Sequence, residues 1–182
     1  MTTLYNDLKI IKRRWAEGME IRICKTEQEL RELARLADEI WHEYFVELLS
    51  LEQIDYMVEK YQSENALEHA IKSEGYLYYL LYNDNQLVGY CGIKPEENRI
   101  FLSKLYLQKS QRGKGLASLL LNQVIQYAKS NGKESIYLTC NKHNQHSLDV
   151  YAAKGFYQID AVETDIGHGF IMDDYVLQLD VQ

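Results

Sequence analysis

Three cationic side chains and two glycines stand within seven residues near the middle of the chain: Lys109, Arg112, Gly113, Lys114 and Gly115. A β-favouring run ends just before them at Leu107, and a helical pattern begins just after at Leu116. The first turn of a helix leaves several N–H groups without intrahelical partners, and the helix dipole is positive there. Glycine lets the backbone come close to a ligand, so a strand–glycine loop–helix junction of this kind binds an anion, phosphate above all. The nucleotide-triphosphate loop G-x-x-x-x-G-K-[ST] is absent. The dinucleotide fingerprint is incomplete, because Ser118 stands where its third glycine belongs. By itself Gly-Lys-Gly fits a plain loop with a glycine cap equally well.

A second group lies downstream at Asn144, Tyr151 and Gly155-Phe156. A phenol with a pKa of ~10 keeps its proton at neutral pH and can donate it to a departing anion. Tyr151 is also one of 15 tyrosines, and composition alone would make it core packing. Asn144 suits a helix N-cap. Cys140, His143 and His146 have the look of metal ligands, but they are three groups from one short stretch with no second cysteine pair. A structural zinc site needs four ligands, so no metal is expected.

These groups must be carried by regular elements. Thr26 with Glu29 is a capping box, followed at helical spacing by Leu30, Leu33, Ala37, Ile40, Trp41, Tyr44 and Leu48. Ser50 with Gln53 repeats the signature before Ile54, Met57, Val58 and Tyr61, so residues 27–73 read as two or three helices. Met19 to Cys24 is strand-like. Runs at 76–82, 86–93 and 99–107, separated by Asn83-Asp84-Asn85 and by a turn at 95–98, read as a meander. A helix from Leu116 closes near Gly132. A strand at 134–140, a short helix at about 145–153, and a hairpin of 156–163 with 170–179 complete the order. That order predicts an α/β chain: a mixed sheet with helices on both faces.

The whole has 182 residues, 46% of them apolar, which suits one domain over 19–182 with an N-terminal extension over 1–18. The extension is locally basic, and Met19 is an alternative start. Three scattered cysteines form no disulfide framework, and no segment resembles a secretory signal or a membrane span, so a cytoplasmic protein is expected. The net charge of −7 argues against nucleic acid and suits a cationic partner. The aromatic stretch Tyr76 to Tyr79 lacks interleaved cations and reads as a strand.

Arg112-x-x-Gly115-x-Ala117 resembles the [QR]-x-x-G-x-[GA] motif of the GNAT superfamily of N-acetyltransferases. Leu105-Tyr106-Leu107 resembles its fourth strand, and Asn144, Tyr151 and Gly155-Phe156 resemble its N-x(6)-Y-x(3)-G-F segment. The stretch from Asp165 to Tyr175, with Ser103 to Tyr106 and Ile40-Trp41, resembles a bacterial branch with relatives that acetylate polyamines or similar small amines. The resemblance implies a mostly antiparallel sheet splayed between its fourth and fifth strands, with acetyl-CoA as co-substrate. It places the diphosphate on the amides of Arg112, Gly113, Lys114, Gly115, Leu116 and Ala117. The pantetheine then lies along the backbone of Leu105 and Leu107, with Asn144 nearby and Tyr151 as general acid. The acceptor is a primary amine, and a homodimer is open. The glutamate that many relatives carry early in the fourth strand is replaced by Phe101, which leaves Glu97, His168, Asp165 or a chain of waters as base. Asp165, Asp173 and Asp174 are candidates to hold a distant ammonium. A non-catalytic acetyl-CoA sensor and an interaction domain are the alternatives.

Overall fold

The structure, a computed structural model, describes residues 18–181, so the expected N-terminal extension falls outside the described residues apart from Gly18. The elements run β1 (Met19–Ile23), α1 (Glu27–Tyr44), α2 (Leu51–Gln62), α3 (Glu64–Ser73), β2 (Leu77–Asn83), β3 (Gln86–Pro95) and β4 (Arg99–Leu107). They continue with α4 (Leu116–Ser130), β5 (Ser135–Asn141), α5 (Gln145–Ala153), β6 (Tyr157–Gly167) and β7 (Phe170–Asp180). Short 3-10 turns at Phe45–Glu47 and Lys109–Gln111 follow α1 and β4.

The helix starts are those that the sequence signals. Thr26 and Glu29 form both bonds of the capping box. Ser50 accepts from Gln53 N–H, and Ser63 both ends α2 and caps α3. Each such cap contributes about 1 kcal/mol. Beyond α4, Gly132 takes φ +62, the left-handed geometry expected of a glycine after a helix end.

One sheet holds the described strands in the order β1-β2-β3-β4-β5-β7-β6. All neighbours are antiparallel except β4 and β5. That parallel pair joins at Arg99↔Ser135, Ile100↔Ile136 and Phe101↔Tyr137 and then stops. From Leu102 to Leu107, β4 is paired on its β3 side only, while β5 stays paired to β7 as far as Asn141. The sheet is therefore split open in the middle, as expected.

Two helical layers hold the halves together. On one face Leu120, Leu121, Val124 and Ala128 of α4 pack on Ile100, Leu102, Ile136, Leu138 and Leu177. On the other, α1 and α3 bury Leu33, Ala37, Ile40 and Leu67 against Tyr78, Leu80 and Tyr90. Burying each large apolar side chain contributes ~1.5–3 kcal/mol, so both layers are firmly seated. A third cluster (Trp41, Phe45, Ile54, Met57 and Ile166) joins α1 and α2 to the β6–β7 hairpin and closes this face over the split.

The hairpin is longer than the expected 156–163 and 170–179. Thr164 and Asp165 continue β6, opposite Met172 and Ile171, and the strand runs on to Gly167 opposite Phe170. β6 is an edge strand and mostly exposed, so its polar residues hide the strand pattern. Its turn takes positive φ at Gly167, His168 and Gly169.

Candidate active site

The glycine loop lies beyond the open end of the split. Gly113 and Gly115 take φ +75 and +79, and a Cβ at either would meet nothing within 4 Å. Any other residue would be strained there, and the space beside both is open. Gly115 is the N-cap of α4, with no side-chain cap. Among the described residues, the N–H groups of Gly113, Lys114, Gly115, Leu116 and Ala117 donate to no backbone carbonyl. Five amides unpaired with backbone carbonyls at the positive end of a 15-residue helix make an arrangement that suits an anion.

The cations of the loop are partly committed elsewhere. The Arg112 guanidinium grips Glu43 of α1 through two bonds (Nη1 to Oε1 at 3.2 Å, Nη2 to Oε2), and its Nε donates to the Leu107 carbonyl at 3.0 Å. Lys109 also reaches Glu43, at 3.2 Å. The Arg112 bond holds the Glu43 carboxyl below its usual range. Lys114 Nζ donates to Gln111 at 3.3 Å. A fourth cation, Lys154 at the end of α5, donates to Ser118 Oγ at 2.6 Å on the first turn of α4. Sequence reasoning missed Lys154 and Glu43, because both are far from the motif along the chain.

Leu105 and Leu107 lie on the free stretch of β4. Gln108 N–H donates to Val88 at 2.9 Å. Antiparallel alternation then turns the backbone of Tyr106 toward β3 and that of Leu105 and Leu107 toward the split. The Leu107 carbonyl is already engaged by Arg112.

Asn144 is 8% exposed and caps α5: its Oδ1 accepts from Ser147 N–H at 3.2 Å and from Tyr44 hydroxyl at 3.1 Å. The cap role is thus present, and it ties α5 to the end of α1. Tyr151, in the last turn of α5, packs edge-on against Phe156 at 5.4 Å between centroids. Burial pushes its phenol well above the usual value, and Cys140, Tyr44 and Cys91 are the ionisable groups around it. Tyr106 of β4 is raised in the same way and feels both Tyr151 and Asp174. The described groups thus collect around the split: Tyr151 from α5, Tyr106 from β4, Cys140 from β5 and Asp174 from β7.

The candidates for the base and for the ammonium holder fare differently. Phe101 stacks on Tyr137 (5.0 Å, 28°), so this position is an aromatic pair that carries no carboxylate. Glu97 is in the β3–β4 turn, at the closed end of the split. Asp165 Oδ1 accepts from Gly167 N–H at 2.8 Å and shapes the hairpin turn. His168 lies against Tyr56, 4.5 Å between ring centroids. Asp173 forms an ion pair with Lys142. Asp174 alone of these acids is buried, at 8% exposure. Cys140 is buried on β5, with its thiol pushed up to about 12. Among the described residues it forms no metal-binding cluster with His143 and His146.

The chain's likeness to known proteins agrees with this geometry. Residues 33–156 match the model of the acetyltransferase (GNAT) family. The spermidine N(1)-acetyltransferase of Thermoplasma acidophilum is 28% identical over 160 residues, covering 86% of this chain and 96% of that one. The spermine/spermidine N(1)-acetyltransferase of Bacillus subtilis is 31% identical over 85 residues, covering 42% of this chain and 56% of that one. In structure, a Thermoplasma acidophilum N-acetyltransferase crystallised with coenzyme A superposes with a TM-score of 0.74 at 23% identity, covering 88% of this chain and 99% of that one. The ribosomal-protein-S18-alanine N-acetyltransferase of Escherichia coli superposes at 0.67 with 14% identity, over 90% and 94% of the two chains. The family match spans well over half of the sequence, and the split sheet and amide cradle are present: the chain belongs to the acetyltransferase (GNAT) family.

Proposed function

We propose that this protein transfers the acetyl group of acetyl-CoA to a primary amine of a small polyamine. One observation carries the transferase half of this reading. β4 and β5 separate after Phe101, and the free amides of 113–117 stand beyond the open end. The likeness to spermidine- and spermine-acetylating proteins and the net charge of −7 support the polyamine half.

The residues fit the co-substrate in three ways. The amides of Gly113 to Ala117 suit a diphosphate, aided by Lys114 and Lys154. The outward backbone groups of Leu105 and the N–H of Leu107 suit the amides of a pantetheine arm, as an added strand would, the Leu107 carbonyl being held by Arg112. Asn144 fixes the start of α5 and so the height of Tyr151. When bound, acetyl-CoA supplies an acetyl group activated as a thioester. Tyr151 keeps a proton on Oη at neutral pH, since burial raises its pKa, and donates it to the departing sulfur. The apolar wall of Trp41, Phe45 and Met57 excludes water from the reacting amine. Arg112 serves chiefly as a positioning residue that fixes the loop to α1.

The test is a panel of spermidine, spermine, putrescine, an amino acid and an aminoglycoside with acetyl-CoA, read by release of free thiol. Turnover confined to the polyamines supports the proposal. Turnover only with the others refutes the acceptor class, and no turnover with any refutes the transferase.

A further inference from the structure

The fold buries one carboxylate on the acceptor face with an oxygen that no described group satisfies. Along β7, Tyr175, Leu177 and Leu179 join the core under α4, while Phe170 and Met172 join the cluster of α1 and α2. Alternation turns Asp174 to the same side as Phe170 and Met172. Its register partner on β5 is Asn141, the last residue of that strand, beside the widest part of the split. Asp174 is 8% exposed, and its Oδ1 has no hydrogen-bond partner among the described residues. Leaving a buried carboxylate oxygen unsatisfied costs on the order of several kcal/mol, a cost that structural acids avoid.

Resting on the reading that the acceptor is an amine, we propose that Asp174 is the general base of the transfer. As the amine nitrogen forms its bond to the acetyl carbon, Asp174 takes one proton from that nitrogen on Oδ1. The carbon–sulfur bond breaks, and the sulfur takes its proton from Tyr151 Oη. The amide product is neutral at the new bond. Asp174 then returns its proton to water, and Tyr151 is reprotonated from water.

The surroundings suit that task. Burial and the adjacent Asp173 raise the Asp174 carboxyl to about 6, while a hydrogen bond from the Thr139 side chain and the charge of Lys142 act the other way. Tyr106 from β4 stands close enough to feel its charge, as does Cys140 from the opposite side of the sheet, and both keep their protons near neutral pH because burial raises them. A base is most effective when its pKa lies near the working pH. An unshifted carboxylate near ~4 would be a weaker base, and the acid shapes no turn that would explain its burial.

The test compares wild type with Asp174→Asn and Asp174→Glu, using spermidine at saturating acetyl-CoA across the pH range. We expect Asp174→Asn to lower kcat by ~10²–10⁴-fold, with KM for spermidine little changed. The acid limb of the wild-type kcat/KM profile should vanish in that variant, and Asp174→Glu should restore part of kcat. A raised KM with kcat retained would make Asp174 an ammonium anchor and overturn the proposal. Carbon-13 carboxyl titration of wild-type protein supplies a readout free of turnover and of mutant folding. A midpoint in the ordinary range near ~4 overturns the proposal. If spermidine is not acetylated, the polyamine reading fails alone. The same comparison is then made on whichever amine is accepted, and the carboxyl titration decides in every case.

Discussion

Glu43 near the end of α1 and Arg112 in the glycine loop, 69 residues apart, are joined by two parallel N–H to carboxylate bonds, and the same guanidinium lies 5.0 Å from the Tyr44 ring. Tyr44 in turn bonds Asn144. One helix end thus holds both the anion loop and the cap of α5. The fork geometry is specific to arginine.

Glu43→Gln or Arg112→Lys should therefore disturb binding through the loop rather than through charge on the phosphate. A charge-assisted bond contributes ~1.5–3 kcal/mol when buried, and less here because both side chains are partly exposed. We expect a loss of about 1 kcal/mol in stability, visible as a Tm lower by roughly 2–4 °C. CoA affinity by calorimetry should fall about three- to tenfold in both variants. The Glu43 carboxyl sits below its unfolded value, so this stabilisation is present above the unfolded pKa and is lost as pH falls through the folded one. Unchanged affinity in both variants would mean that the loop holds its shape unaided.

The glycine loop is tested by a pair of substitutions at one position. Gly115→Ala meets open space but must adopt φ +79, at a cost of roughly 1–2 kcal/mol. It should fold, with a Tm a few degrees lower. Gly115→Glu adds a negative charge beside the free amides. Acetyl-CoA at about a hundredfold excess over Kd should stabilise wild type by ~2.7 kcal/mol and Gly115→Glu not at all. A thermal shift that survives in Gly115→Glu would place the diphosphate elsewhere.

Tyr151→Phe keeps the ring contact with Phe156 and removes only the hydroxyl proton. Turnover should fall by about ten- to a thousandfold, while CoA binding by calorimetry stays near wild type. Because burial holds the phenol above its usual pKa, wild-type kcat should show no loss from Tyr151 ionisation up to at least pH ~10. A full-speed variant would show that the sulfur leaves without this donor.

Lys104 offers a stability test away from the chemistry. It is 9% exposed on β4, with its amine 5.4 Å from the Tyr78 ring and 5.5 Å from the Tyr76 ring. Desolvation lowers its pKa to about 8. For a base with a depressed folded pKa, the cost of burial is full below that value. It fades as pH rises from about 8 toward the unfolded value near ~10.4. Lys104→Met should stabilise the protein at pH 7 by about 1–2 kcal/mol after loss of the ring contacts, a rise of roughly 2–6 °C. That gain should shrink at pH ~10. A gain that does not change with pH would mean that packing, not charge, sets it.

What the sequence determined by itself was local. Thr26 with Glu29, Ser50, the glycines at 113 and 115, and the periodicity from Leu116 each act over one or two turns, so the helix starts and the shape of the loop could be read without coordinates. The element order likewise predicted a mixed sheet, because alternation and turn residues are written in neighbouring positions. Only tertiary structure decided how those pieces use their polar groups. Arg112 reads as a phosphate cation until α1 brings Glu43 to it. Asp165, Asp173 and Asp174 look alike within ten residues of sequence, yet one shapes a turn, one pairs with Lys142, and one is buried facing the split. Strand alternation sets the side to which each points, but burial depends on whether a distant helix covers that side. Here Phe170 and Met172 on the same side of β7 pack against α1 and α2, and nothing near residue 174 in the chain records that they do.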